Sequence, residues 1–263
     1  MKKYPTIFGS SKDSPTIFVT YHKPDEIFNL PNNYKLIQVG KNCNYTRDSN
    51  SFGIRKKNID NNDPFFKLMD YYDDMNDNIS KYNHLISEMS AMYWVWKNLT
   101  FKDDEYLGFC AYRRISIPQP DFMNYDININ SYFMLEHANI DNLNIYLKHC
   151  LRQDYLENYK FLLKSFPKDK DNFILFEKEL FKNNISREMF VMKWKCFNEL
   201  MIELYEYIKF IVNNSNKIFA TTHVLEYILC FLIWKLSKKY TVKSNVDYIK
   251  PTLDIATYRN GIY

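Results

Sequence analysis

Two adjacent arginines, Arg113 and Arg114, follow an apolar run in the stretch DDEYLGFCAYRRI, from Asp103 to Ile115. A guanidinium stays charged at every physiological pH, and its planar fork presents paired N–H donors that match the oxygens of a phosphate. Two of them side by side at the end of a strand suit a pyrophosphate. They would also stabilise a departing diphosphate, because fixed positive charge then sits where negative charge develops. The same pair fits a purely structural role, in which one arginine meets a core carboxylate and the other is solvated. Asp103, Asp104 and Glu105 stand before the apolar run, at the end opposite the arginines. No paired-carboxylate metal site is therefore expected at the arginine end, and side chains supply the positive charge there.

The elements that must position this pair can be read from apolar patterning. Thr16–Tyr21 (TIFVTY), Tyr34–Val39 (YKLIQV, closed by Gly40) and Tyr106–Ala111 (YLGFCA) are apolar and β-branched or aromatic, the pattern of buried strands. From residue 41 to 78 the chain is polar and carries Gly53 and Pro64, which predicts a long loop with a short helical piece near Phe65–Tyr72. Loops of that length commonly cover a site. Leu85, Met89, Met92 and Trp96, with Ile86 and Tyr93 beside them, form the stripe of one amphipathic helix, and Asp77, Asn78 and Ser80 supply its start signals. Strand, loop, helix and strand in that order predict an α/β fold with a mostly parallel sheet. Beyond Pro118 the pattern turns mainly helical, with helices near 143–164, 195–212 and 223–238 and a strand-like Met189–Met192. One domain is expected, with an α/β part over about 16–118 and a mainly helical part over about 119–263.

In open α/β sheets the ligand crevice lies beyond the carboxyl ends of the strands. Three loops therefore matter: Tyr21-His22-Lys23-Pro24, Gly40 and its followers, and Tyr112-Arg113-Arg114. Tyr21, His22 and Lys23 have the chemistry to stack on a base and reach a ribose or phosphate, or to form an ordinary polar turn. Asn78, Ser80 and Asn83 can bind a nucleotide or cap the helix, and the two roles can coexist. Glu88, beside the apolar stripe, needs a partner if buried, and Arg113 or Arg114 would serve, making Glu88 a supporting residue.

Composition narrows the classes. The 263 residues are 46% hydrophobic, with 22 Tyr and 20 Phe, enough for a substantial core. A net charge of +4, with lysines scattered among acids, argues against a nucleic-acid binder. Cys43, Cys110, Cys150, Cys196 and Cys230 are widely spaced and lack CxxC pairing, which reads as reduced core thiols in a cytoplasmic protein without a zinc site. The basic start lacks the apolar run of a signal peptide, and the longest apolar run, Tyr227–Trp234, falls far short of the roughly 20 residues that span a bilayer.

A family resemblance covers some 230 residues. Asp77–Ser80 (DNIS), Asn83, Glu88–Asn98 (EMSAMYWVWKN), Tyr106–Phe109 (YLGF) and Tyr112–Arg114 (YRR) resemble the signature of bacterial polysaccharide-synthesis proteins catalogued as domain of unknown function 4422. That family is associated with glycosyltransferases, including galactofuranosyltransferases. The resemblance extends to Thr20–Pro24 and Gln38–Gly40, and more weakly to His149-Cys150 with Asp154, to Met189–Lys193 and to the helix of Glu226. One departure stands out: where the family has the histidine of HYRR, this chain has Ala111, which can bind neither substrate nor metal.

The resemblance implies a GT-A-like fold and transfer of a sugar, galactofuranose or galactose, from a UDP-sugar donor to a growing capsular or lipopolysaccharide glycan, with inversion. No cofactor beyond the donor is implied, and no metal ligand is assigned. The implied donor contacts are Thr20, Tyr21, His22, Lys23, Gln38, Gly40, Asn78, Ser80, Asn83, Arg113 and Arg114, supported by Glu88 and His149. Inverting transfer needs a carboxylate base for the acceptor hydroxyl. Asp154 is placed ahead of Glu226, although an ion pair with Arg152 or an i, i+3 pairing with His223 explains either acid structurally. Because such acceptors are typically lipid-linked, the lysines of Lys235–Lys250 are expected to meet the inner face of the inner membrane or to form a solvated basic face. The loss of the histidine keeps a rival open, a non-catalytic sugar-nucleotide or glycan-binding protein.

Overall fold

The computed structural model describes residues 14–25, 30–47, 54–56, 60, 62–112, 114–129, 161, 164–180, 189–215, 221–244 and 246–249. In chain order its elements are β1 (Thr16–Tyr21), β2 (Tyr34–Gln38), β3 (Tyr45–Arg47), β4 (Ile54–Lys56), β5 (Tyr71–Tyr72), α1 (Asn83–Ile86), α2 (Met89–Asn98), β6 (Tyr106–Ala111), β7 (Ile115–Pro118) and β8 (Ile127–Ile129). There follow α3 (Lys170–Leu180), β9 (Phe190–Lys193), α4 (Trp194–Asn213), α5 (Thr221–Leu236), β10 (Val242–Ser244) and β11 (Val246–Ile249). Seven strands form one sheet in the order β10-β8-β9-β6-β1-β2-β5. β5, β2, β1 and β6 run parallel, and β9 is antiparallel to both β6 and β8. The expected α/β class and mostly parallel sheet are what the chain adopts.

The central strands are apolar throughout because both faces of the sheet are covered. Phe18 of β1 and Phe109 of β6 point into a core shared with α2, α4 and α5, while Ile17, Val19 and Tyr21 alternate to the other face with Cys110 and Tyr112. Gly108 lets β6 approach β9 closely, since a Cβ there would lie 2.6 Å from the Phe190 carbonyl oxygen.

Several expectations need correction. The helical piece at Phe65–Tyr72 is a 3-10 turn, Pro64–Leu68, capped by Asp63 and followed by β5. β5 is an edge strand because the Asp70 and Asp73 N–H groups donate to the Leu36 and Gln38 carbonyls of β2. The single helix expected across Leu85–Trp96 is two helices, broken at Ser87, whose φ is 49°. The Asn83 side-chain amide and the Ser90 hydroxyl both donate to the Ser87 carbonyl, at 2.7 and 3.1 Å, and such local bonds compete with a continuous helical ladder. The strand-like Met189–Met192 is β9, shifted by one residue and internal to the sheet. Helices expected at 195–212 and 223–238 are α4 and α5, whereas the one expected at 143–164 lies outside the described residues apart from 161 and 164. The second half also contributes β8, β9 and β10 to the main sheet, so it is not simply helical.

Cys43, Cys110, Cys196 and Cys230 are buried thiols outside any disulfide. Among the described residues no helix is long and apolar enough to cross a membrane. Lys235 pairs with Asp169 and Glu203, Lys239 with Glu199, and Lys243 with Asp121, so these lysines of the expected membrane-facing segment are engaged by carboxylates.

Asp126 ties β8 to its neighbours at the end of the sheet away from the arginine turn. Its carboxylate accepts the Lys193 ammonium at 2.9 Å, the Thr241 hydroxyl at 2.9 Å and the Thr241 N–H at 3.2 Å. Burial alone would raise its pKa, but Lys193 and Thr241 outweigh burial and hold the carboxyl well below the usual range. A depressed carboxyl contributes stability above its unfolded pKa, near 4, and that contribution is lost as pH falls. Urea denaturation at pH 7 and pH 3 should show the wild type losing roughly 1–2 kcal/mol more than Asp126→Asn on acidification. Equal losses in the two proteins would remove Asp126 from the account.

Candidate functional site

Backbone register brings three strand ends to one level. Tyr21 pairs with Gln38 across β1–β2, and Thr20 pairs with Ala111 across β1–β6. The ladder continues one step further, through Val39 N–H to the Tyr21 carbonyl at 2.9 Å and Tyr112 N–H to the Thr20 carbonyl at 3.1 Å. The chain therefore leaves the sheet at His22, Gly40 and Tyr112 side by side, spanning about 10 Å at the usual strand spacing. Arg114 N–H donates to the Ala111 carbonyl at 2.8 Å, closing the arginine turn before β7. Arg114 is half-buried, and Arg113 lies outside the described residues.

Aromatic packing supports the β1 and β6 ends. Tyr21 and Tyr112 stack with centroids 5.2 Å apart, His22 meets the Tyr112 edge at 5.3 Å, and Phe65 leans on Tyr21 at 5.5 Å. Tyr21 is fully buried, and burial first, then nearby Cys110 and Asp25, raises its hydroxyl pKa. Its ring packs against Tyr112 and Phe65, while the half-buried His22 and Lys23 follow it at the strand end. Thr20 and Gln38 are likewise buried in the sheet, and the Thr20 hydroxyl donates to the Cys110 carbonyl. Burial pushes the Cys110 thiol up to about 12, a packing thiol with little thiolate character.

The β2 end is organised by a residue that sequence reading missed. Asp73, fully buried just after β5, accepts Gly40 N–H at 2.8 Å, Lys41 N–H at 3.4 Å, the Ser80 hydroxyl at 2.5 Å and the Ser90 hydroxyl at 2.6 Å. Burial raises its pKa, opposed by Ser80, Ser90 and the two backbone donors. Ser80 Oγ also accepts Asn42 N–H at 3.2 Å, and Cys43 N–H donates to the Gly40 carbonyl at 3.0 Å. The Cys43 thiol lies 3.2 Å from His84 Nδ1, and burial lowers the His84 pKa. The only sequence signal for Asp73 was an acid directly after the aromatic pair Tyr71-Tyr72, within a segment read as loop.

The other expected contacts serve this framework. Asn78 donates to the Asp74 and Asn76 carbonyls and accepts Ser80 N–H, holding the turn before α1, while the N-cap positions fall at Ile79, Tyr82 and Glu88 without a side-chain cap. Asn83 donates to Ser90 Oγ at 2.9 Å and abuts Gly40. Glu88 accepts the Ser87 hydroxyl. Glu226 is half-buried on α5, which packs against α1. His149 and Asp154 lie outside the described residues. Asp103 and Glu105 sit at the amino end of β6, where their carbonyls accept Lys195 and Trp194 N–H, far from the arginine turn. Among the described residues no group of three or more His, Cys, Asp or Glu is placed to hold a metal ion.

The model of a family described as a domain of unknown function, DUF4422, matches residues 16–240. Among solved structures the chain is similar to the apo structure of WbbM, a bifunctional glycosyltransferase, with a TM-score of 0.57 and 20% identity. That likeness covers 92% of this chain and 48% of the other, so the chain spans about half of WbbM's length. At this identity the likeness is one of fold. No curated protein matches the chain.

Gly40 is demanded twice over. Its φ is +67°, and a Cβ would lie 2.5 Å from Asn83 Oδ1. Gly40→Ala should cost about 1–3 kcal/mol in urea denaturation. Asn83→Ala added to it should recover the steric part and leave the backbone part. A Gly40→Ala protein as stable as the wild type would contradict this geometry.

Proposed function

The chain belongs to the DUF4422 family, and from that premise we propose that it is a glycosyltransferase using a UDP-sugar donor at the carboxyl ends of β1, β2 and β6. The observation that carries the reading is the common level of the three strand ends, with the arginine turn closed directly beside the β1 end. That is where open α/β sheets bind nucleotides, and a guanidinium pair there would meet a diphosphate with charge-assisted hydrogen bonds. The fold it shares with WbbM, a bifunctional glycosyltransferase, supports the same class of activity.

In this reading the acceptor hydroxyl oxygen bonds to the anomeric carbon as the bond from that carbon to the UDP oxygen breaks. A carboxylate takes the hydroxyl proton, UDP leaves with the bonding pair, and Arg113 and Arg114 stabilise its growing charge. Attack from the face opposite UDP inverts the anomeric centre. Asp154 is the first candidate base and Glu226 the second. The sugar is galactofuranose or galactose, and the acceptor is a capsular or lipopolysaccharide glycan, lipid-linked and met at the inner membrane face. No cofactor or metal is assigned, since the arginines supply the charge that a metal would bring.

Ala111, at the arginine turn itself, favours a second reading as a non-catalytic sugar-nucleotide or glycan-binding protein. Donor hydrolysis by this chain and by Ala111→His separates the two. Turnover by either protein supports the enzyme, and turnover by neither supports the binding protein.

Each charge-assisted hydrogen bond contributes about 1.5–3 kcal/mol. Arg113→Ala and Arg114→Ala should therefore each weaken UDP binding at least about tenfold in calorimetry. Unchanged affinity in both would eliminate the clamp. Asp154→Asn should cut turnover about a hundredfold in an active protein while leaving UDP affinity nearly intact. If Glu226→Gln alone silences transfer, the base is Glu226.

A further inference from the structure

We infer that Asp73 is a positioning residue of the donor site: its carboxylate sets the Gly40–Cys43 turn at the end of β2, and thereby the wall against which the nucleoside seats. The inference rests on reading the crevice as a nucleotide site. Asp73 lies on β5's side of the sheet, one strand beyond β2, and is fully buried. Its hydrogen-bond partners among the described residues are two backbone amides and two hydroxyls. A buried anion held by dipoles is costly unless each partner is well placed, and here the partners come from the β2 turn, the turn before α1 and the first turn of α2.

The consequence falls on the amides. Gly40 and Lys41 N–H donate to Asp73, Asn42 N–H to Ser80 Oγ, and Cys43 N–H to the Gly40 carbonyl. All four point inward, so this turn is not an anion-binding nest of the kind formed by successive outward amides. Diphosphate recognition then falls to the β1 and β6 ends, and the β2 turn acts through its position. Asparagine at residue 73 would keep one acceptor for Gly40 N–H, and Ser80 could rotate its hydroxyl to accept. Only the longer Lys41 contact has no such remedy. Alanine would take the carboxylate away from all four donors, of which the Ser90 hydroxyl keeps the Ser87 carbonyl as an acceptor. Loosening the turn should weaken ground-state binding of the donor and spare the step at the arginines, a change in KM more than in kcat.

The test combines hydrogen exchange, UDP calorimetry and kinetics on Asp73→Ala, Asp73→Asn and Ser80→Ala. Asp73→Ala should speed exchange at Gly40–Cys43 at least about tenfold while β1 and β6 stay protected, and should weaken UDP about tenfold with kcat changed less than KM. Asp73→Asn should stay within about threefold of the wild type in both readouts, because it retains the Gly40 acceptor. If Asp73→Ala does not fold, Ser80→Ala carries the test through the Asn42 contact, with a loss of about threefold or more. Intact protection at Gly40–Cys43, or lost protection with unchanged UDP affinity, overturns the inference. A wild type that binds no UDP instead overturns the nucleotide reading, and this inference with it.

Discussion

Parallel pairing of β2, β1 and β6 in one register is the constraint on which the site depends. Hydrogen bonds across Thr20, Tyr21, Val39 and Tyr112 carry the pairing to its last residue, so three loops emerge together. A slip of one residue would turn Tyr21 and Tyr112 out of their shared stack and drive Phe18 and Phe109 away from the helices. Packing on both faces therefore enforces the level at which His22, Gly40 and the arginine turn meet. Gly108 adds to this by letting β9 close on β6 from the other side.

Around that frame, charge is arranged unequally. At the amino end of β6, Asp126 has Lys193 and Lys195 within 2.9 and 3.4 Å. Near the β2 end the buried Asp73 is answered by hydroxyls and amides. Lys23, Lys41 and Arg114 follow the ends of β1, β2 and β6, with Lys41 3.6 Å from the Asp74 carboxylate. In the proposed reaction a diphosphate leaving group would meet these side chains, over a scaffold whose buried acid Asp73 is already hydrogen-bonded.

Much of this frame was legible in the residues. β1 and β6 are continuous apolar runs bounded by polar turns, and their limits follow directly; β2 stops at Gln38, one residue short of the expected Val39, whose N–H still donates to the Tyr21 carbonyl. The arginine turn was legible as a place, because two adjacent cations directly follow a buried apolar run, whereas the choice between a phosphate clamp and a structural pair was not. The helix break at Ser87 was not, since the apolar stripe runs on through it and the cause is a side-chain network from Asn83 and Ser90. β5, β8 and β10 have two or three residues each and exist through pairing with distant neighbours. Asp73 was hidden for a related reason: its partners lie 7 to 33 residues away, and an acid in a polar segment reads as solvated. The place of Tyr21 at the end of β1 was legible, but its burial was not, because it depends on alternation that turns its ring into the core with Ile17 and Val19.

The central claim is that a nucleoside diphosphate sits where β1, β2 and β6 end together. A crystal structure of the protein grown with UDP tests it most directly. The account predicts the diphosphate beside Arg113 and Arg114, with the nucleoside running along His22, Lys23 and the Gly40–Cys43 turn. UDP at the amino ends of these strands, or on the helical face formed by α4 and α5, would contradict it.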